Sequence, residues 1–155
     1  MMLTPEEKRE IAEEQKRYPD RRAACVEALK IAQRSRGWIS DETLRELAEH
    51  LGMTADELDG VATFYNMIFR RPVGRHVIFL CDSVSCWVMG EEALRAHLKH
   101  RLGIDFGETS ADREYTLLPV ACLGACDHAP ALLLDRELHG DVTEKQIDAL
   151  IRRRG

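Results

Sequence analysis

Two segments, Val77-Ile-Phe-Leu-Cys81-Asp-Ser-Val-Ser-Cys86 and Leu117-Leu-Pro-Val-Ala-Cys122-Leu-Gly-Ala-Cys126, decide the fold of this chain. In each segment a run of apolar residues, typical of a buried strand, leads directly into a pair of cysteines. Neighbouring parallel strands would release both cysteine loops at the same edge of one sheet. The sequence therefore predicts that four thiols meet there.

The charge and composition of the 155 residues exclude some classes of protein. The formal net charge is −5 with acidic and basic residues interspersed, which gives no positive surface for a nucleic-acid backbone. The beginning, Met1-Met-Leu-Thr-Pro-Glu-Glu7, lacks the features of a secretory signal, and no apolar run approaches the roughly 18 residues of a membrane span. We expect a cytoplasmic protein with no nucleic-acid partner and no direct membrane insertion.

The cysteines are expected to bind a metal. Thiols stay reduced in the cytoplasm, so clustered cysteines there are more typical of metal binding or catalysis than of disulfides. Four thiolates in one place need a cation, because packed like charges are otherwise unfavourable. The fifth cysteine, Cys25, lies on the apolar side of a predicted helix, and we expect it to pack as a small hydrophobic residue. We interpret His128, beside the second pair, as a loop residue.

The first part of the chain predicts a bundle of short helices. Capping boxes begin at Thr4 and Thr54, each with a glutamate three residues later, and Ser40 is typical of a helix N-cap. A further helix is predicted from about Arg21 to Arg34. The stretch Val61-Ala-Thr-Phe-Tyr-Asn-Met-Ile-Phe69 follows. We expect these large apolar residues to pack between domains or on a partner chain rather than to line a ligand site.

The pattern changes at Arg70-Arg-Pro-Val-Gly74, which we predict to be a domain boundary. Residues 1–72 are predicted to form the N-terminal helical bundle, and residues 73–155 a second domain of alternating strands and helices. The predicted elements of the second domain are strand His76–Leu80, helix Trp87–Arg101 with Ala93, Leu94 and Leu98 inward, strands Tyr115–Ala121 and Ala129–Leu134, a turn or short strand Glu137–Gly140, and a helix capped by Thr143. This α/β order, β-α-β-β-α, resembles a thioredoxin-like sheet, although the Cys-x-x-Cys motif of thioredoxin is absent.

Three kinds of site are compatible with four thiolates. Structural zinc takes four sulfurs from pairs about two to four residues apart, so neither pair excludes it. A dithiol redox enzyme needs two close cysteines, and neither pair has the usual spacing. A binuclear iron-sulfur cluster takes two cysteines on each iron and tolerates wider gaps. Gly124 and Ala125 favour the cluster, because small residues let backbone N–H groups approach the sulfurs.

Five motifs in order along the chain carry a resemblance to a known family. They are Val61-Ala-Thr-Phe-Tyr65, Pro72-Val-Gly-Arg-His76, Cys81-x4-Cys86, Cys122-Leu-Gly-Ala-Cys126-x-x-Ala-Pro130 and Gly140-Asp-Val-Thr143. Together they resemble the E subunits of bacterial NADH-quinone oxidoreductase, the thioredoxin-like iron-sulfur subunits of respiratory complex I. The resemblance runs from about Val61 to the end of the chain.

The resemblance implies that Cys81, Cys86, Cys122 and Cys126 are the ligands of one [2Fe-2S] cluster per chain. It implies an electron carrier that is not catalytic alone and exchanges electrons with flavin mononucleotide (FMN). Both FMN and NADH would be bound by the partner, the NADH-binding flavoprotein subunit, and the other peripheral-arm subunits of complex I would be further partners. The chain would then be cytoplasmic and peripheral to the inner membrane. Its ten glycines include no G-x-G pair, in agreement with nucleotide binding on the partner.

Two residues depart from the family pattern, and some alternatives stay open. Ala121 stands where many members carry glutamate and Asp82 where many carry threonine. Both differences change the charge beside the cluster and so bear on its potential, because nearby negative charge disfavours reduction. Relatives of the family serve in NAD-linked formate dehydrogenases and hydrogenases, which are the alternative parent complexes. A thiol oxidoreductase and a zinc-stabilised assembly module are less favoured.

Overall fold

The computed structural model describes residues 2–154. These residues form two compact units, which meet in the sequence at Pro72 and Val73. The first unit is helical, and the second contains a sheet with helices. Among the helices of residues 2–154, none has the length and apolar character that a membrane span needs.

Three of the four α-helices described in the first unit begin where the caps at Thr4, Ser40 and Thr54 predict. The four helices are α1 (Pro5–Gln15), α2 (Cys25–Arg36), α3 (Asp41–Leu51) and α4 (Ala55–Phe64). The hydroxyl groups of Thr4 and Thr54 accept hydrogen bonds from the backbone N–H of Glu7 and Glu57, respectively. Each glutamate side chain in turn accepts a hydrogen bond from the backbone N–H of its threonine, so both predicted capping boxes are confirmed. The helix predicted from Arg21 is wrong at its start: Arg21–Ala24 is a 3₁₀ turn, and only then does α2 begin.

The core of the first unit is formed by apolar side chains from all four helices. Ile11, Leu29, Leu47 and Leu58 are fully buried within it. Cys25 is partly buried and packs against this core, which confirms its interpretation as a small hydrophobic residue. Such burial of apolar surface is the main favourable contribution to the stability of a helical bundle.

The apolar residues at the end of α4 and just after it are only partly covered. Phe64, Tyr65 and Met67 are 80%, 45% and 44% exposed, whereas Ile68 is buried. The rings of Phe64 and Tyr65 contact each other edge to face, with centroids 5.3 Å apart. Packing within the first unit therefore accounts for Ile68 but not for the two rings.

The second unit is built on a five-stranded sheet. Its elements are β1 (His76–Cys81), α5 (Val84–Val88), α6 (Glu91–Leu102), β2 (Glu108–Thr109), β3 (Tyr115–Val120), β4 (Leu132–Leu134), β5 (Glu137–His139) and α7 (Glu144–Arg154). The strand order is β2-β3-β1-β4-β5. Strands β1 and β3 are parallel neighbours, as predicted, and the other pairings are antiparallel. Leu80, Leu98 and Leu117 are fully buried in the core of this unit.

Several features of the second unit differ from the predictions. The helix predicted from about Trp87 to Arg101 is wrong only at its start, because Gly90, with φ 101°, separates α5 from α6 and lets the chain change direction. Ala93, predicted to face inward, is exposed. Strand β4 begins only at Leu132, since Pro130 has no N–H to donate to a sheet. Strand β2 was missed, because two residues are too few to show an alternating pattern.

Candidate metal centre

The four predicted ligands all lie where β1 and β3 end. Cys81 is the last residue of β1, and Cys86 lies in the short helix α5 that follows. Cys122 comes shortly after β3, and Cys126 begins a 3₁₀ turn. The two strands are parallel, with Cys81 opposite Val120, so both loops leave the sheet at one edge. The predicted arrangement of strands and cysteine loops is confirmed.

The first cysteine pair is buried. Cys81 and Cys86 are 2% and 1% exposed, and their thiols are hydrogen-bonded to each other. The backbone N–H of Ala131 donates to the Cys86 sulfur, and the Ala131 carbonyl accepts the Cys81 N–H at 3.1 Å. Burial, followed by the hydrogen bond from Cys81, raises the pKa of Cys86 to about 11. A bound metal would reverse this, because it stabilises the thiolate.

The second cysteine pair is exposed and has the spacing of two ligands on one metal. The sulfurs of Cys122 and Cys126 lie 3.9 Å apart. Two sulfurs about 2.3 Å from one tetrahedral metal would be about 3.8 Å apart, so this separation fits. Gly124, with φ 76°, turns the loop so that its N–H donates to the Cys122 sulfur at 3.3 Å. This contact confirms the expected approach of the backbone between the two cysteines.

The two pairs are close enough to interact electrostatically. The charge of Cys126 contributes to the raised pKa of Cys86, after burial and the contacts with Cys81. Within residues 2–154, no group of three or more cysteine, histidine or acidic side chains is arranged to hold a single metal ion. The described residues instead present two pairs of thiols, Cys81 with Cys86 and Cys122 with Cys126. This donor set fits a binuclear cluster, which takes two cysteines on each iron and whose sulfurs commonly accept backbone N–H groups.

His128 lies beside the second cysteine pair, and its imidazole is hydrogen-bonded to Asp141. Its Nδ1 is 2.8 Å from Asp141 Oδ2. This hydrogen bond, followed by the charges of Asp127 and Asp141, raises the pKa of the His128 imidazole. The ring therefore links its loop to the segment before α7, in agreement with its interpretation as a loop residue.

Two features of the centre were not found from the sequence. The first is Ala131, which acts through its main chain and so has no side-chain signal. The second is a group of exposed apolar residues on and beside α5, next to Cys86: Val84, Trp87, Val88 and Met89, with exposures of 68%, 55%, 68% and 60%. Such a run of apolar residues is typical of a buried helix, so the sequence does not indicate that these residues are exposed.

The two departures from the family pattern lie on the surface of the centre. Asp82 and Ala121 are both exposed, next to Cys81 and Cys122 respectively. The Asp82 N–H donates to the Val120 carbonyl at 3.1 Å, so the backbone there continues the contact between the two strands. Because Asp82 is exposed, solvent screens the charge of its carboxylate. These residues leave the arrangement of the cysteines intact.

Comparison with known proteins shows the family. The family model of the thioredoxin-like [2Fe-2S] ferredoxin matches residues 11–154. The E subunit of NADH-quinone oxidoreductase from Pseudomonas aeruginosa is 47% identical over 150 residues, which cover 97% of this chain and 90% of the relative. The corresponding protein from Escherichia coli is 45% identical over 151 residues, covering 97% of this chain and 91% of the relative.

A solved structure shows the same fold. A chain of an NAD+-reducing [NiFe]-hydrogenase superposes with a TM-score of 0.72 and 29% sequence identity. The match covers 84% of this chain but only 22% of that hydrogenase chain. The predicted α/β fold with a thioredoxin-like [2Fe-2S] domain is confirmed, and so is the predicted [2Fe-2S] cofactor, which is the cofactor of the family. The chain belongs to the thioredoxin-like [2Fe-2S] ferredoxin family and, within it, to the E subunits of NADH-quinone oxidoreductase.

Proposed function

We propose that this chain is the electron-carrier subunit of an NADH-quinone oxidoreductase and holds its [2Fe-2S] cluster on Cys81, Cys86, Cys122 and Cys126. The observation that carries this proposal is the meeting of two thiol pairs at the edge where the parallel strands β1 and β3 end. Each pair supplies two sulfurs, as each iron of a binuclear cluster requires. Cys25 packs in the first unit and takes no part.

The backbone around the cysteines is arranged to stabilise thiolates. The N–H of Gly124 donates to Cys122, and the N–H of Ala131 donates to Cys86, so each pair receives one such contact. Hydrogen bonds to ligand sulfurs offset their negative charge and thereby ease the addition of an electron. When bound, the cluster supplies one-electron transfer. The chain supplies the ligands, their orientation and these dipoles.

The need for a flavin-binding partner follows from the number of electrons that NADH delivers and that the cluster accepts. NADH delivers a hydride, which is two electrons together, whereas a binuclear cluster takes one, so a flavin is needed between them. We place FMN and NADH on the NADH-binding flavoprotein subunit, with the other peripheral-arm subunits of complex I as further neighbours. The exposed sulfurs of Cys122 and Cys126 leave one side of the centre open to such a partner. The chain is then a cytoplasmic subunit, peripheral to the inner membrane, with domains 1–72 and 73–155.

A second parent complex is favoured by one observation. The fold match with a chain of an NAD+-reducing hydrogenase supports the equivalent subunit of an NAD-linked hydrogenase. The higher identity with the E subunits, along nearly their whole length, favours the NADH-quinone oxidoreductase. Purification of the chain with its neighbours from the native host distinguishes the two, because a hydrogenase would bring a nickel-containing subunit.

The electron-carrier role is tested by mixing the purified holo chain with NADH in the absence of oxygen. Dithionite, a strong chemical reductant, should bleach the visible absorbance of the isolated chain. NADH alone should leave it unchanged, and NADH with the flavoprotein subunit should bleach it. Bleaching by NADH without the flavoprotein would contradict the proposed carrier role.

A further inference from the structure

We propose that Cys122 and Cys126 are the entry point at which the chain receives its cluster from a thiolate-ligated [2Fe-2S] donor, and that Cys81 and Cys86 complete the ligation afterwards. The proposal rests on the ligand assignment given above. It concerns how the centre is filled, which is separate from its electron transfer. The donor is identified by its chemistry alone: a [2Fe-2S] unit whose irons are held by exchangeable thiolates.

The first observation is the unequal access to the two pairs. Cys81 and Cys86 are 2% and 1% exposed, whereas Cys122 and Cys126 are both exposed. Cys81 is also held on both sides within the sheet, since it is paired with Val120 and its N–H donates to the Ala131 carbonyl at 3.1 Å. The rate of thiolate exchange depends on access to the attacking sulfur. A bulky donor therefore reaches the second pair first.

The second observation is that the exposed pair is already arranged for one iron. The Cys122 and Cys126 sulfurs are 3.9 Å apart, close to the separation of about 3.8 Å for two sulfurs on one tetrahedral metal. The Gly124 N–H, 3.3 Å from the Cys122 sulfur, stabilises a thiolate there. A Cβ atom placed on Gly124 would meet nothing within 4 Å, so the approach beside it is open. The pair can replace two donor ligands with little rearrangement.

The chemistry is ligand exchange without redox change. In each exchange one cysteine thiol of the chain gives its proton to solvent and its sulfur bonds to a donor iron. The bond between that iron and one donor thiolate breaks, and the departing thiolate takes up a proton. Four such exchanges, two at Cys122 and Cys126 followed by two at Cys81 and Cys86, replace all donor ligands. The irons and sulfides keep their oxidation states throughout.

The test uses the full-length apo chain with Cys25→Ser and a glutathione-ligated [2Fe-2S] complex as the probe, under anaerobic conditions. Visible circular dichroism follows the rate of capture for four single variants: Cys81→Ala, Cys86→Ala, Cys122→Ala and Cys126→Ala. The last two should slow capture about tenfold or more, because the entry pair is incomplete. The first two should stay within about threefold of the parent rate, while a chelator should strip their captured cluster faster.

If the alanine variants slowed capture only because they misfolded, the variants of the buried pair would be slower than those of the exposed pair. Cys81 and Cys86 are buried and the other two are exposed, so alanine disturbs packing more at the first pair. Slowing by Cys81→Ala or Cys86→Ala that equals or exceeds that of Cys122→Ala would overturn the proposed order of entry while leaving the ligand assignment intact. Capture and retention at the parent level in all four variants would overturn the ligand assignment as well.

Discussion

The Cα atoms of Cys81 and Val120 are paired across the parallel strands β1 and β3. Because the strands run in the same direction, the segments that follow these two residues leave the sheet at one edge. One segment carries Cys86, and the other carries Cys122 and Cys126. The strand pairing therefore brings together thiols that are far apart in the sequence.

Substitution of Gly124 tests the role of the backbone between the last two cysteines. Gly124 has φ 76°, where a side chain is strained, so Gly124→Ala should lower the free energy of unfolding of the holo chain by about 1 kcal/mol. Relief of the strain should also move the N–H that contacts Cys122 and so change the visible circular dichroism of the cluster. Chemical denaturation and the visible spectrum measure the two effects.

Gly107 provides a matched control. It has φ 84°, and a Cβ atom there would also meet nothing within 4 Å, but it lies beside β2 rather than between the cysteines. Gly107→Ala should cost a similar free energy and leave the cluster spectrum unchanged. An unchanged cluster spectrum in Gly124→Ala would show that the Gly124 N–H does not influence the cluster.

The acid stability of the first unit should depend on Glu7. The hydrogen bond from the Arg36 guanidinium is the main cause that lowers the pKa of Glu7 from 4.5 to about 2. The folded pKa lies below the unfolded value, so the ionised carboxylate contributes stability above pH 4.5, and this contribution is lost as the pH falls toward 2. Both side chains are nearly buried, at 9% and 8% exposed, so Glu7→Gln should destabilise the unit by about 3 kcal/mol at neutral pH.

Fluorescence of Trp38, which belongs to the first unit, can follow this unfolding in a Trp87→Phe background. The control is Glu6→Gln, because Glu6 is 73% exposed and its ion pair with Arg9 lies on the surface. That variant should stay within about 0.5 kcal/mol of the parent chain. Equal effects of the Glu6 and Glu7 substitutions at neutral pH would refute the importance of the buried pair.

The two units should respond differently to removal of the cluster. The cysteine loops of the second unit lose the free energy of metal binding in the apo chain, whereas the helices of the first unit keep their caps and core. Hydrogen exchange on apo and holo protein should therefore show loss of protection in β1, β3 and the loops that follow them, with little change in α1 to α4. The same loss of protection in both units would contradict this expectation.

The features that were predictable from the sequence are those with a local cause. The capping boxes at Thr4 and Thr54 depend on residues three positions apart, and the apolar runs before Cys81 and Cys122 are long enough to indicate buried strands. The break at Gly90 was not predictable, because a single glycine within an apolar helical pattern is often tolerated. Its φ of 101° lets the chain turn between α5 and α6, and a glycine can adopt this value without steric cost.

The grouping of the four cysteines was predictable from the sequence, but the difference in their burial was not. All four cysteines follow similar strands, so nothing local separates buried Cys81 from exposed Cys122. The difference comes from the strand order and the strand ends, since Cys81 is the last residue of β1, which lies between β3 and β4, whereas Cys122 lies beyond the end of β3. The contact from Ala131 depends on the same order, because β4 follows that residue. Strand order is a property of the whole sheet, so it cannot be inferred from the sequence of a single segment.

The assignment of the cluster ligands is tested most directly by the iron and acid-labile sulfide content of five variants, in which serine replaces one cysteine each: Cys25, Cys81, Cys86, Cys122 and Cys126. Cys25→Ser should keep about two irons and two sulfides per chain with native spectra, because Cys25 packs with the helical core. Each of the other four should lose the cluster or show altered spectra with reduced content. Full content with native spectra in two or more of those four, or a Cys25→Ser chain without iron, would contradict the assignment.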